Sequence, residues 1–183
     1  GGWPAFKALS GSPSPLQQEI SAASPRFAVV MFGTNDIGYN NITRYADNML
    51  DIADGLIKEG VIPLLTTIPP RDDSTSANLE VPRYNAVVRA VAQARQVPMV
   101  DYHRELLPMP KHGLAGDGVH PNTYYSGGAK ACVFTTTGLT YGYNKRNLIT
   151  LEGLHRARAV TLGGKNAPDP AGPRRKGDGS QAS

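Results

Sequence analysis

Apolar positions along this chain alternate between two spacings. From Phe27 to Phe32 (FAVVMF) they run unbroken, which suits a strand covered on both faces, as in a parallel sheet flanked by helices. Val61–Thr67 (VIPLLTT) and Val97–Tyr102 (VPMVDY) repeat that pattern and predict second and third strands. Between the first two runs, Tyr45, Met49, Ile52, Ala53, Leu56 and Ile57 recur at helical spacing over Thr43–Glu59, and Gly60 supplies the stop. Pro82 is expected to open a further helix whose buried stripe is Tyr84, Val87, Val88 and Val91. Upstream, Ser14-Pro15-Leu16-Gln17 has the form of a capping box with proline at the first helical position. Leu16, Ile20 and Ala23 would face inward until Ser24-Pro25 ends that helix. Near the end, Asn144 is expected to cap a last helix, with Leu148, Leu151 and His155 along one face. Strand and helix thus alternate three times with short connections. That predicts an α/β fold with a parallel sheet and right-handed crossovers.

This layout directs attention to the ends of the strands, where open α/β sheets hold ligands. Gly33-Thr34-Asn35-Asp36 follows the first strand directly. Gly33 lets the backbone turn sharply, and Asn35 can aim an amide N–H into a crevice. A plain strand-to-helix turn would use the same residue types. Far downstream, Asp117-Gly118-Val119-His120-Pro121 places an acid and an imidazole three residues apart in a loop. An Asp can fix the tautomer of a His and stabilise the imidazolium formed when the His takes a proton. Taken alone, this spacing is also that of an ordinary turn. A metal site drawn from Asp36, Asp117 and His120 is a further option, although the histidine spacings match no structural zinc pattern. His103 reads as a strand-end residue making a backbone hydrogen bond, and His155 as half-buried on a helix.

Composition changes the picture in three places. No apolar run approaches the ~20 residues of a transmembrane helix, so no membrane span is expected. The first residues show no charged-then-apolar leader. The net charge of +4 is unevenly spread: residues 163–183 carry Lys165, Arg174, Arg175 and Lys176 against Asp169 and Asp178. That stretch, rich in Gly, Pro, Ser and Asp, reads as a disordered tail following one domain over residues 1–162. Its three adjacent basic residues lack aromatic interleaving, so no nucleic-acid partner is expected. Cys132, the single cysteine, reads as a small apolar residue or as half of a bridge to another chain.

Taken together, GTND at 33–36 and DGVH at 117–120 resemble the Gly-x-Asn-Asp and Asp-x-x-His blocks of the SGNH (GDSL-type) hydrolase family, in the right order and at a fitting separation. LLTTIPPR and GLTYGYNKRNLITLEGL look like one bacterial branch of it. The resemblance implies a flavodoxin-like three-layer sheet, hydrolysis of a carboxylic ester or acetylated carbohydrate, and no cofactor or metal. His120 would be the general base oriented by Asp117, Asn35 would donate to the oxyanion, and Gly33 would shape its loop. Gly2, in GGW, matches at most the glycine of the family's second block, whose backbone N–H would help line the oxyanion hole. Export from a bacterial cell, to the periplasm or beyond, is what the resemblance implies for location.

One block is not found. The family's nucleophile is a Ser in Gly-Asp-Ser at the end of its first strand, and no Gly-Asp-Ser precedes Phe27. Ser10, Ser12 and Ser14 are the nearest serines, without a strand-like run to present them. The expectation is therefore a domain that lacks the family's first strand, with FAVVMF left as an apolar edge. A non-catalytic glycan- or peptide-binding module on the same fold is the competing reading.

Overall fold

The structure, a computed structural model, describes residues 2–161. The 163–183 segment lies outside the described residues. Three strands form one parallel sheet in the order β1-β2-β3: β1 (Phe27–Val30), β2 (Ile62–Thr66) and β3 (Met99–Val100). The register pairs Val29 with Leu64, Val30 with Leu65, Leu65 with Met99 and Thr66 with Val100. Each strand is shorter than its apolar run. Residues beyond the last ladder bond turn into the loops that carry the polar clusters.

The pleat sends alternate residues to two different cores. Val30 and Leu65 face a layer made by α1 (Ala5–Leu9), α3 (Ile42–Lys58) and α4 (Thr75–Arg95). There α3 buries Tyr45, Met49, Ile52, Ala53 and Leu56, as its spacing predicts, while Ile57 turns to solvent. Complete burial of a side chain such as Met49, Ile52 or Leu56 stabilises the fold by about 1.5–3 kcal/mol. On the other face lies α6 (Gly142–Thr161), over a smaller core of Tyr102, Leu106, Met109, Leu114 and Ile149. Helices thus cover both faces of the sheet, the three-layer arrangement expected.

Several elements depart from expectation. The helix thought to begin at Pro82 begins at Thr75, capped by the Ser74 hydroxyl, which accepts from Ala77 N. Pro82 sits exposed inside it, so the helix tolerates the lost backbone donor on its solvent side. Its stripe includes the buried Asn85, whereas Val87 is only half-buried. Asn144 is not a cap but lies buried inside α6, accepting from Val133 N and donating to the Gly138 carbonyl. The inward stripe of α6 runs through Ile149, Gly153 and Ala157, so Leu151 and His155 are exposed. Gly153 selects this face: a Cβ there would stand 2.6 Å from Val100 Cγ2 and 3.3 Å from Leu64 Cδ2. Cys132 is exposed rather than packed. The short α1 was not anticipated, nor was the hairpin of β4 (Tyr124–Tyr125) and β5 (Ala129–Lys130). Ahead of β1, α2 (Pro15–Ala23) has the full capping box, with Leu16 and Ile20 against the core and Ala23 exposed. No described helix is long and apolar enough to cross a membrane.

Among the described residues β1 pairs on one side only, and Val29 is 47% exposed. Beside it, on the α6 face, lies a cavity of about 300 Å³ lined by Val29, Met31, Phe32, Thr66, Val100 and residues of α6.

Candidate active site

Parallel strands place their carboxyl ends on one side, and there the chain gathers its polar loops. The first is Gly33–Asp36. Gly33 is buried at φ +127°, and a Cβ on it would lie 2.9 Å from the Tyr45 hydroxyl and 3.0 Å from Ile68 Cγ2. Only glycine fits there. Asp36 is buried, and its carboxylate accepts from Gly33 N at 3.0 Å and from Ala5 N at 2.9 and 3.1 Å. Burial pushes its pKa above the ordinary carboxylate value, against the lowering effect of those amides. Asp36 therefore closes its own turn and pins the N-terminal segment to it, a role for the fourth residue of GTND that the sequence reading missed.

Asn35, between them, is exposed and makes no side-chain capping bond to the 3-10 turn Asp36–Tyr39 that follows. Its amide is thereby left open to solvent. Gly2 is exposed at φ +77°, three residues ahead of the pinned Ala5 amide.

The second loop holds Asp117 and His120. His120 Nδ1 and Asp117 Oδ2 are 2.7 Å apart. The other carboxylate oxygen accepts from Val119 N and His120 N, each at 3.0 Å. These amides, together with the imidazole, lower the Asp117 pKa to about 2. A carboxylate so held remains ionised and accepts a hydrogen bond from Nδ1–H, leaving Nε2 as the basic nitrogen. The imidazole side chain is 70% exposed, so substrate can reach it directly. Asp-x-x-His here is thus a formed pair as well as a turn, since one carboxylate does both.

A third loop, following β2, entered the sequence analysis only through LLTTIPPR, with no role for its residues. Ile68 is fixed by the buried Asn85, which accepts from its N–H at 2.8 Å and donates to its carbonyl at 3.2 Å. Beyond it, the Arg71 guanidinium donates to the Thr34 carbonyl at 2.8 Å, and Asp72 N donates to the Gly118 carbonyl at 2.9 Å. This loop therefore touches both the Asn35 and the His120 segments. It also forms a second acid–imidazole pair, His112 Nδ1 to the Asp72 carboxylate at 2.9 and 3.0 Å. Contacts spanning 37 and 40 residues leave no local sequence signal.

The remaining candidates are placed elsewhere. His103 lies in α5 (Tyr102–Leu106) just past β3, its N–H donating to Thr67 Oγ1, and burial holds its imidazole below the ordinary value. Ser10 donates to the Phe6 carbonyl and Ser14 caps α2, while Ser12 is exposed. Tyr124 and Tyr141 pack edge to face at 5.2 Å, and Arg146 lies over Tyr143. Among the described residues, no three His, Cys, Asp or Glu side chains come together as metal ligands would. Asp36 in particular is occupied by backbone amides, which removes it from the metal set considered above.

Comparison with known proteins agrees with this layout. No curated protein sequence matches the chain. Among solved structures, a GDSL-like lipase from Bacteroides thetaiotaomicron superposes with a TM-score of 0.66 at 20% identity, over 86% of this chain and 73% of that one. A catalytic mutant of an acetylxylan esterase from Geobacillus stearothermophilus gives 0.60 at 14% identity, over 86% of this chain and 68% of that one. A psychrotrophic esterase from a Pseudoalteromonas species gives 0.57 at 12% identity, over 90% and 75%. At such identities the likeness is one of fold. The sequence match is to the GDSL-like lipase/acylhydrolase family, over residues 3–124, a span that includes both GTND and DGVH. Since that span is about two-thirds of the chain, the protein belongs to the GDSL-like lipase/acylhydrolase family.

Proposed function

We propose that this chain carries the general base and the oxyanion donor of a serine esterase acting on a carboxylic ester or an acetylated carbohydrate. The observation that carries the proposal is the 2.7 Å contact between Asp117 and an exposed His120. In the reaction, a serine Oγ attacks the ester carbonyl carbon while its proton passes to His120 Nε2. Asp117 accepts the Nδ1–H and stabilises the imidazolium. Asn35 Nδ2–H, joined by the Gly2 N–H, donates to the oxyanion of the tetrahedral intermediate. His120 then gives its proton to the departing alkoxide. Water, deprotonated by the same imidazole, releases the acid and regenerates the serine.

The serine comes, on this proposal, from a Gly-Asp-Ser strand added along the open side of β1. Three features support that placement: the unpaired edge, the half-exposed Val29 and the cavity beside them. The acetylxylan esterase among the structural neighbours motivates an acetylated sugar as one substrate class.

Fluorophosphonate labelling with peptide mapping tests the proposal, on this chain and on the full-length protein. The expected result is no label here and a single labelled serine upstream of Trp3 in the longer protein, which also hydrolyses p-nitrophenyl acetate. A full-length protein without esterase activity, or one unaffected by His120→Ala, overturns it. Tight glycan binding that survives loss of Asn35, Asp117 and His120 would instead favour the non-catalytic module, the reading prompted by the missing Gly-Asp-Ser.

A further inference from the structure

We propose that Arg71 is a positioning residue that sets the oxyanion donor Asn35 against the base His120, by bridging their two loops. This rests on the esterase reading for its catalytic meaning, but its geometry stands on contacts within this chain.

Arg71 begins a three-residue bridge. Its Nη1 donates to the Thr34 carbonyl at 2.8 Å, while Nε and Nη2 donate to the two Asp73 oxygens at 2.7 and 2.8 Å. The Thr34 carbonyl belongs to the peptide unit that ends at Asn35 N. Holding that oxygen fixes the plane of the peptide, and with it the direction in which the Asn35 side chain leaves the backbone. The Asp73 fork keeps the guanidinium from turning away. Arg71 N is itself anchored to Asn78 Oδ1 at 2.9 Å, in the first turn of α4. The side chain is only 17% exposed.

From Asp72 onward the bridge grips the other loop. Asp72 N donates to the Gly118 carbonyl at 2.9 Å, and the Asp72 carboxylate accepts from His112. Gly118 is at φ +66°, and a Cβ on it would lie 2.6 Å from Asp73 N and 2.8 Å from Asp72 C. The two backbones are therefore in contact between Asp117 and His120. No described hydrogen bond joins this bridge to the His120 imidazole, so it acts on where the Asp117–His120 pair stands.

The chemistry needs this separation held, because the base must meet the nucleophile while the amide meets the developing oxyanion. A displacement of about 1 Å at such a site can cost on the order of 100-fold in rate. Arg71 also explains a sequence choice. A lysine ammonium cannot span both Asp73 oxygens and the Thr34 carbonyl as a planar guanidinium does.

The test compares Arg71→Lys with Arg71→Ala, using Asp73→Asn as the variant that loosens the fork should Arg71→Ala fail to fold. In full-length protein, Arg71→Lys is expected to lower kcat for p-nitrophenyl acetate by about 10–100-fold. KM should stay within about twofold, because substrate binding in the ground state is not what is lost. The pH–rate midpoint should not move, which separates positioning from a change in His120 itself. Full rescue by lysine, or a loss confined to KM, overturns the proposal. The second arm needs no activity: in 15N NMR of this chain, the same variants should shift both the Asn35 and the Gly118–Val119 signals. Unchanged Asn35 or Gly118–Val119 signals overturn the coupling. A parent with no esterase activity would refute the esterase reading alone, and this arm would still decide whether Arg71 couples the loops.

Discussion

Asp36→Ala removes the acceptor that two buried amides share. In the native turn, Ala5 N and Gly33 N converge on one carboxylate, and both residues are enclosed. Without it, both amides lose the acceptor they have in the folded chain. An orphaned buried donor costs about 1–3 kcal/mol, so the pair would cost about 2–6 kcal/mol. Part of this is offset, because the variant no longer buries a charge, the same cost that holds the Asp36 pKa high. A net loss of about 3 kcal/mol remains. For a chain of this size each kcal/mol moves Tm by about 2–4 °C, giving a fall of about 6–12 °C. Asp36→Asn provides the control. One of the two oxygens, Oδ2, already accepts from both amides, at 3.1 and 3.0 Å. An asparagine carbonyl placed there keeps these two bonds but sets its amide nitrogen against Ala5 N in place of Oδ1, so its cost should be smaller than that of alanine without vanishing. Circular dichroism melts of the three proteins, with hydrogen exchange at the Ala5 amide, check this. A fall below about 2 °C for Asp36→Ala, or an unchanged Ala5 exchange rate, would refute the reasoning.

The remaining predictions concern the candidate site loops and the sheet. In full-length protein, His120→Ala should reduce turnover by about 10²–10⁴-fold, and Asn35→Ala by about 10²–10³-fold, with assays of kcat deciding each. Asp117 has its folded pKa lowered from 3.8 to about 2, so its contribution to stability is present above pH 3.8 and is lost as the pH falls toward 2. Carboxyl-detected NMR should place its midpoint near 2, and a midpoint at or above 3.8 would contradict the hydrogen-bonded geometry. Gly153→Ala drives a Cβ to within 2.6 Å of Val100 Cγ2, an overpacking worth about 1–3 kcal/mol, so Tm should fall while the dyad's NMR signals stay in place.

The apolar runs made the sheet legible because a strand buried on both faces must be largely apolar, as β2 is from Ile62 to Leu65. They overstated strand length because apolar residues continue past the ladder, as at Met31 and Phe32, into packing against other elements. The start of α4 was misplaced because Pro82 carries a strong start signal, while the actual cap at Ser74 lies in a run of polar residues. The face of α6 was misread because its contact stripe contains Gly153, where the absence of a side chain is what permits packing. At the site, Asp117 and His120 were visible because they lie within one loop. The part played by Arg71 was not, since its partner Thr34, and Gly118, the partner of the adjoining Asp72, come from loops that only the fold brings near.

The same locality gives the Asp117–His120 pair an unusual independence. Its acid, its imidazole and the two amides that orient the acid all belong to four consecutive residues. Forming it requires closure of one short loop, whereas the register between that loop and Asn35 depends on contacts spread over more than eighty positions of chain. Under mild heat or denaturant the two should therefore part at different points. Catalytic competence would disappear first, through lost registration between loops, in a population whose acid–imidazole pair is still assembled.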